Sequence, residues 1–336
     1  MDLCADMLVK HAPQGTPIDV FLPKYQKILG LVPSKMARNF DRWYNRWKVY
    51  PKEVVKLPKK TGFFHIMDHS YAHLANHLPK GRVGVYCHDL DAFRCILKPE
   101  TEKRPEWFRK MMGRVFDGLI RARLIFCSTA ITKKNLLDLG HWEHESIHVV
   151  PYGIAEEFRV DGNRESGEYI LHVGSCIQRK RIDVLIEAFG LLSKKNSKLK
   201  LIQAGGNFSG EQKKQIQNLN LEARVEQRQN LTRDDLARLY RGARTLVITS
   251  DAEGFGLPVI ESLACGTTVV ASDLPEIMEA GGKLVSYFPK GNVGSCADAV
   301  QAVLENPCPK QLLGFQEKWS WKVFSAAICN VYSNMK

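Results

Sequence analysis

The sequence predicts an α/β protein made of two doubly wound, Rossmann-like domains. Three observations lead there. A chain of 336 residues is too long for one ordinary core and suits two domains of about 150 residues. From Tyr169 onward, short apolar runs alternate with amphipathic helical segments, the pattern of a parallel sheet covered on both faces. Glycines follow several of those runs, where such sheets place their ligands, at the C-terminal ends of the strands.

The composition narrows the class. Apolar residues make up 44% and charged residues 25%, as in soluble globular proteins. No apolar run approaches the ~20 residues needed to span a bilayer. The opening MDLCADMLVKHAP lacks the apolar core of a signal peptide. Nine scattered cysteines with no C-x-x-C point to a reducing compartment, and against a disulfide framework or a zinc site. The expected location is therefore the cytoplasm. Residues 1–160 carry 26 Lys and Arg against 17 Asp and Glu, which is +9 of the net +12. That half is expected to meet something acidic.

In the first half, DVFLP (19–23), FFHIMD (63–68), VGVYCHD (83–89), RLIFCS (123–128) and IHVVPYG (147–153) read as strands, with a helix over 104–122. SKMARNFDRWYNRWK (34–48) reads as one helix. Lys35, Arg38, Arg42 and Arg46 share one face; Met36, Phe40, Trp43 and Trp47 share another. That combination suits a membrane surface or an anionic lipid-linked acceptor. It equally suits a helix laying its apolar face on the first sheet. His65, His69, His73 and His77 are spaced by four and would form one metal-competent stripe on a helix. FFHIMD reads as strand, however, so His65 leaves the stripe and the segment reads better as acceptor-side surface. VGVYCHDLDAF ends a strand at His88-Asp89, which would aim His88 at a cleft between the domains. Asp89-Leu90-Asp91 also spells D-x-D, a metal-binding pattern that arises easily by chance.

In the second half, the strand YILHV (169–173) runs into Gly174. A loop with Arg179-Lys180-Arg181 follows, and then the helix IDVLIEAFGLLSKK. Three cations at a helix N-terminus repel its positive end. A bound diphosphate would relieve that with charge-assisted hydrogen bonds; a solvated basic turn is the alternative. KLKLIQAG is the next strand, followed by the helices EQKKQIQNLNLE and TRDDLARLYRGA, the latter with Thr232 as N-cap and Asp235 at N3. LVITS (246–250) and TVVAS (268–272) are strands on either side of DAEGFGLPVIESLACG. There Gly254 and Gly256 free the backbone, Pro258 fits a first helical turn, and Gly266 ends the helix. Glu253 falls at a strand's mouth and Glu261 about one turn into the helix. The free N–H groups between them suit a phosphate, and the two carboxylates could accept hydrogen bonds from sugar hydroxyls. Taken singly, each acid also reads as a helix-dipole complement or a solvated residue.

The string DAEGFGLPVIE resembles the Glu-x7-Glu signature of retaining glycosyltransferases of family 4, which have the GT-B fold: two Rossmann-like domains facing across a cleft. The resemblance implies that Glu253 lies by the donor sugar and Glu261 holds the nucleotide ribose. It also implies that the backbone of Phe255, Gly256, Leu257 and Val259 meets sugar and diphosphate, with Pro258 giving shape alone. By the same resemblance, Arg179 and Lys180, after Gly174, clamp the diphosphate and neutralise the leaving group, so no metal or other cofactor is implied. Leu231 would lie beside the base, and His88 would touch sugar or acceptor. IHVVPYGIAEEF resembles the interdomain hinge, and KWSWKVFSAAICNVYSN resembles a closing helix that crosses back. The implied organisation is an acceptor-side domain over 1–152, a nucleotide-sugar domain over 153–312 and the returning helix over 313–336. The family opens with a strand and a Gly-rich loop ahead of a helix like DLCADMLVKHA, in which this sequence starts, so a shortened first domain is expected.

The implied activity is retaining transfer of a hexose, glucose by expectation, from a UDP-sugar to a glycan or lipid-linked acceptor in polysaccharide biosynthesis, at or near the inner face of the membrane. Two other readings stand beside it. One is a nucleotide-sugar epimerase of the same architecture. The other is a non-enzymatic binder of an anionic surface or nucleic acid. Nucleic acid is not an expected partner, since acids in the glycine-rich loop would repel a phosphate backbone.

Overall fold

The computed structural model describes residues 2–30, 34–58, 62–306 and 315–335. The chain forms two compact units, Met1–Pro151 with Lys322–Lys336, and Tyr152–Trp321. The boundary expected at 312/313 and Cys308 lie outside the described residues. The eight described cysteines are free and buried. Among the described residues no helix is long and apolar enough to cross a membrane.

The first unit holds a parallel sheet in the order β1 (Phe64–Ile66), β2 (Val83–Cys87), β3 (Leu124–Cys127), β4 (Ile147–Val149). Every residue of β2 and β3 is buried, as expected of strands covered on both faces. The helix Glu106–Arg121 presses on the segment His69–His77. A Cβ on Gly118 would sit 2.1 Å from the Ala72 carbonyl oxygen, so only glycine allows that approach. The helix Trp321–Ser333 closes this unit through its later residues. The Ser325 hydroxyl donates to the Met7 carbonyl at 3.1 Å, and the Tyr332 hydroxyl lies 2.7 Å from His65 Nδ1.

Three expectations for this half need correction. DVFLP is not a strand; residues 17–27 have no regular structure. Pro17 and Pro23 bracket the run and cannot donate to a ladder. The downstream chain is held by side chains instead: Asp41 accepts the N–H groups of Ile28 and Leu29 at 3.1 and 2.9 Å, and Asn45 both accepts from and donates to the Gln26 backbone at 2.7 Å. Secondly, residues 34–48 are not one uniform helix. An α-helix over Lys35–Tyr44, capped by Ser34, passes into a π-turn over Asn45–Val49. Its buried face is Ala37, Asp41, Asn45 and Val49, whereas Met36, Phe40 and Trp43 are exposed. The polar pair faces inward because the 26–29 backbone satisfies it. Arg46 and Trp47 also turn inward: the Arg46 guanidinium lies over the Tyr71 ring at 5.1 Å and donates to the Ser70 carbonyl, and Trp47 stacks on His73 at 4.3 Å. Thirdly, the histidines do not form an acceptor-side surface. His69 and His73 are buried in a 3-10 segment capped by Asp68, and only His77 of that segment's three is exposed. Among the described residues no group of three His, Cys, Asp or Glu could hold a metal ion.

The second unit holds a six-stranded parallel sheet, β10 (Val285–Phe288), β9 (Val269–Ser272), β8 (Thr245–Ile248), β5 (Tyr169–Gly174), β6 (Lys200–Gly205), β7 (Val225–Arg228) in spatial order. Counted from β5, that is the 3-2-1-4-5-6 arrangement, with the order reversing between β5 and β8. The helix Ile182–Lys195 buries Leu185, Ile186 and Phe189 against Leu201, Val247 and Val270. The capping box of Thr232 and Asp235 forms as read, and Ser209 with Gln212 makes a second.

Candidate active site

The reversal between β5 and β8 brings two loops together at the C-terminal edge of the sheet. After β5, Gly174 (φ +144°) leads into the loop, and after β6, Gly205 (φ +115°) does the same. A Cβ on Gly205 would lie 2.9 Å from the Gly174 carbonyl oxygen, and one on Gly206 would lie 2.5 Å from Cys176 N. Both backbones can therefore meet only as glycine. The Gly174 carbonyl accepts from the Gly206 N–H at 2.9 Å and from Gln203 Nε2 at 2.8 Å. These bonds fix the start of the cationic loop.

The three cations do not behave alike. Arg181 sits in the left-handed region (φ +48°) and opens the helix Ile182–Lys195. Its guanidinium is taken by Asp183, at 3.1 and 2.9 Å, and by Asp251 at 3.3 Å. Arg179 and Lys180 instead meet the loop after β8. Arg179 Nη1 donates to the Ala252 carbonyl at 2.7 Å, and the Arg179 carbonyl accepts from the Asp251 N–H at 2.9 Å. The Thr249 hydroxyl lies 2.9 Å from both the Lys180 and Arg181 carbonyls. Lys180 Nζ donates to Glu253 Oε1 at 2.5 Å, and the Ser250 hydroxyl donates to the same oxygen at 2.6 Å. Glu253 Oε2 lies 3.8 Å from Arg179 Nη1. Lys180 and Glu253 keep only 13% and 10% side-chain exposure, so the pair is little screened by solvent. Beneath it, buried His172 is pushed down to about 4 by burial, with Lys180 adding to the effect, and stays neutral near pH 7.

Glu253 and Glu261 are thus not two matching acids. Glu253 belongs to the cationic cluster. Glu261 lies in the helix Leu257–Ala264, where the fully buried Tyr240 hydroxyl donates to its Oε2 at 3.0 Å. Burial pushes Glu261 up to about 7, against the opposing hydrogen bond. The turn between the acids is anchored by Phe255, whose buried ring packs edge-on against Tyr152 and Trp319 at 5.1 and 5.3 Å. Gly256 (φ +92°) then starts the helix without a side-chain cap, with Leu257 and Pro258 half-buried and Val259 buried. Leu231 lies half-buried after β7, following Asn230 in the left-handed region.

His88 belongs to the other unit, just past β2. Its N–H donates to His69 Nδ1 at 3.1 Å, and its ring lies 5.0 Å from Tyr86. Burial, with His69 second, pushes it down to about 4. In the D-x-D sequence, Asp89 Oδ1 accepts the Asp91 N–H at 3.0 Å, closing a local turn. Tyr240, Ser250, Thr249 and Gln203 went unread in the sequence. Tyr240 occupies an interior position of an amphipathic helix, and spacing does not separate a core tyrosine from one that donates to an acid 21 residues away.

The Glu261 shift has a testable sign. A carboxyl raised in the folded state holds a proton that the unfolded chain releases first. Its contribution to stability is complete below the ordinary value of 4.5 and is lost as pH rises through about 7. The difference in Tm between the wild type and Glu261→Gln should therefore shift against the wild type from pH 5 to pH 8. A pH-independent difference would show that Glu261 titrates normally.

Residues 154–319 match the family model described as glycosyl transferases group 1. Over 234 residues the chain is 27% identical to D-inositol 3-phosphate glycosyltransferase of Pseudarthrobacter chlorophenolicus, covering 64% of this chain and 55% of that protein. Over 246 residues it is 26% identical to MMP alpha-(1->4)-mannosyltransferase of Mycolicibacterium hassiacum, covering 67% and 59%. The chain thus spans less than two thirds of the length of these relatives. The structure of Anabaena HepE in complex with UDP-glucose superposes with a TM-score of 0.62 at 18% identity, covering 86% of this chain and 79% of that one. A trehalose-6-phosphate synthase superposes at 0.67 and 14%, covering 91% and 79%. These two likenesses establish the GT-B fold.

Proposed function

Through residues 154–319 the chain belongs to the glycosyl transferases group 1 family, and from that premise we propose that it is a retaining hexosyltransferase using a UDP-sugar, with glucose as the hexose. The observation that carries this reading is the gathering of Arg179 and Lys180 on Glu253 at the sheet's reversal point. Without substrate, Glu253 balances the two cations. An arriving diphosphate takes their hydrogen bonds, each worth ~1.5–3 kcal/mol, and frees Glu253 to accept from the donor sugar. Glu261, held by Tyr240 through one oxygen, keeps the other for a ribose hydroxyl. Leu231 lies by the base, and His88 serves as a neutral polar contact to sugar or acceptor. The UDP-glucose bound by HepE supports a nucleotide-sugar donor, and the relatives' names as glycosyl- and mannosyltransferases support transfer of a sugar; the acceptor proposed here is a glycan or a lipid-linked one.

In the proposed reaction the acceptor hydroxyl oxygen bonds to the anomeric carbon from the face on which the nucleotide leaves. The bond from that carbon to the phosphate oxygen breaks with its electron pair. The diphosphate, neutralised by Arg179 and Lys180, takes the acceptor's proton. Two fixed cations supply the charge that a divalent metal would otherwise supply, so transfer is expected without one. A thermal-shift panel of nucleoside diphosphates and their sugars, with and without EDTA, tests this. UDP at 100 times its dissociation constant should add ~2.7 kcal/mol, unchanged by EDTA. No shift with any nucleotide would remove the reading, a strict need for Mn²⁺ or Mg²⁺ would remove the metal-free mechanism, and donor conversion without acceptor would mark an epimerase.

A further inference from the structure

Among the described residues, nine of the eighteen exposed large hydrophobic side chains fall between Val20 and Trp43. They include Leu22 and Met36, at 86% and 83% exposure, with Phe21, Ile28, Phe40 and Trp43. A soluble monomer scatters such residues singly, and a cluster of them marks a contact surface. Lys24, Lys27, Lys35, Arg38 and Arg42 are exposed in the same stretch. Its only acid, Asp41, is buried and already accepts the Ile28 and Leu29 N–H groups. Asp41 and Asn45 therefore act as a buried polar clasp. They bind the irregular 26–29 backbone to the helix Lys35–Tyr44 and leave both pieces to present their apolar side chains outward. On that helix, Met36, Phe40 and Trp43 recur at the spacing of one face, Phe40 and Trp43 lying 6.0 Å apart, with the basic residues on the flank.

We propose that this surface docks the chain on an anionic lipid bilayer. Apolar side chains that enter the acyl boundary, flanked by cations at headgroup level, are what an interfacial element needs. A second copy of the chain fits worse, since pairing would oppose the segment's five exposed cations with five others. A nucleic acid would leave Leu22 and Met36 without apolar contact. The inference does not rest on the donor reading, because every residue it uses lies in the unit Met1–Pro151 with Lys322–Lys336.

Co-sedimentation of the full chain with vesicles of phosphatidylcholine alone, and of phosphatidylcholine mixed with phosphatidylglycerol, tests it. Binding to the anionic vesicles alone is expected, weakening as salt is added. The double variant Phe40→Ser/Trp43→Ser should lose at least about tenfold in vesicle affinity while keeping the wild-type Tm, since both side chains are exposed. Lys35→Glu/Arg38→Glu should lose at least about tenfold as well, from roughly fivefold per cationic residue near an anionic surface. Absent binding, equal binding to both vesicle types, or binding undiminished in both variants would overturn the proposal. So would a concentration-dependent dimer, formed without vesicles and abolished by Phe40→Ser/Trp43→Ser. Nucleotide-induced thermal shifts report separately on the other unit.

Discussion

Replacing Lys180 by Met should lower kcat/KM for transfer by about 10²–10³-fold, or ~2.7–4 kcal/mol, the size of one preorganised contact to charge that develops in a transition state. Methionine keeps much of the stem's bulk and removes only the ammonium. The neighbouring cation provides the comparison. Arg181 is already paired with Asp183 and Asp251 and keeps 30% side-chain exposure, so Arg181→Met should cost no more than ~1 kcal/mol. Steady-state kinetics on the two variants decide the matter. Similar losses at 180 and 181 would mean that the loop acts through its overall charge and not through a clamp of defined residues.

Glu253→Ala carries the second large effect, on stability as well as rate. It leaves the Lys180 ammonium largely buried beside Arg179, without its carboxylate. Stranding one partner of a buried pair costs ~3–5 kcal/mol, and the remaining exposure places this pair toward the lower end. Urea unfolding should show that loss, and saturating UDP should recover much of it, since the diphosphate brings a replacement for the missing charge. Transfer should fall while UDP binds more tightly than to the wild type, since it no longer competes with Glu253 for the two cations. Glu261→Ala should behave oppositely: nucleotide affinity falls, and stability drops by ~1–3 kcal/mol for the Tyr240 hydroxyl left buried without its acceptor. Equal loss of nucleotide affinity in both variants would contradict the division of roles.

The second unit was readable because its signals are local. A strand ending in Gly174, a helix starting after Arg181, and the glycines and proline between Glu253 and Glu261 each constrain their own backbone, and all fall where they were placed. Partners distant in the chain were not readable. Lys180 and Glu253 are 73 residues apart, and only the strand order, with β5 beside β8, brings them together. The sequence therefore suggested a pair of acids, while the fold makes one a member of the clamp and the other a tyrosine-held carboxylate. The first unit was harder. In residues 34–48 the helical period is legible, but hydrophobicity alone leaves open whether the apolar face meets the first sheet or a membrane or acceptor. Asp41 and Asn45 occupy the buried face because the backbone of residues 26–29 satisfies their polar groups there. Residues 19–23 carry a short apolar run like that of a strand, yet Pro17 and Pro23 remove donors that pairing needs.

Lys180 and Glu253 form either a diphosphate site or only a buried ion pair. Calorimetric titration of the wild type and of Lys180→Met with UDP tests that most directly. Saturable binding to the wild type is expected, weakened about tenfold or more in the variant, as the loss of one charge-assisted contact of ~1.5–3 kcal/mol requires. Equal affinity in the two proteins, or no binding to the wild type, would contradict it.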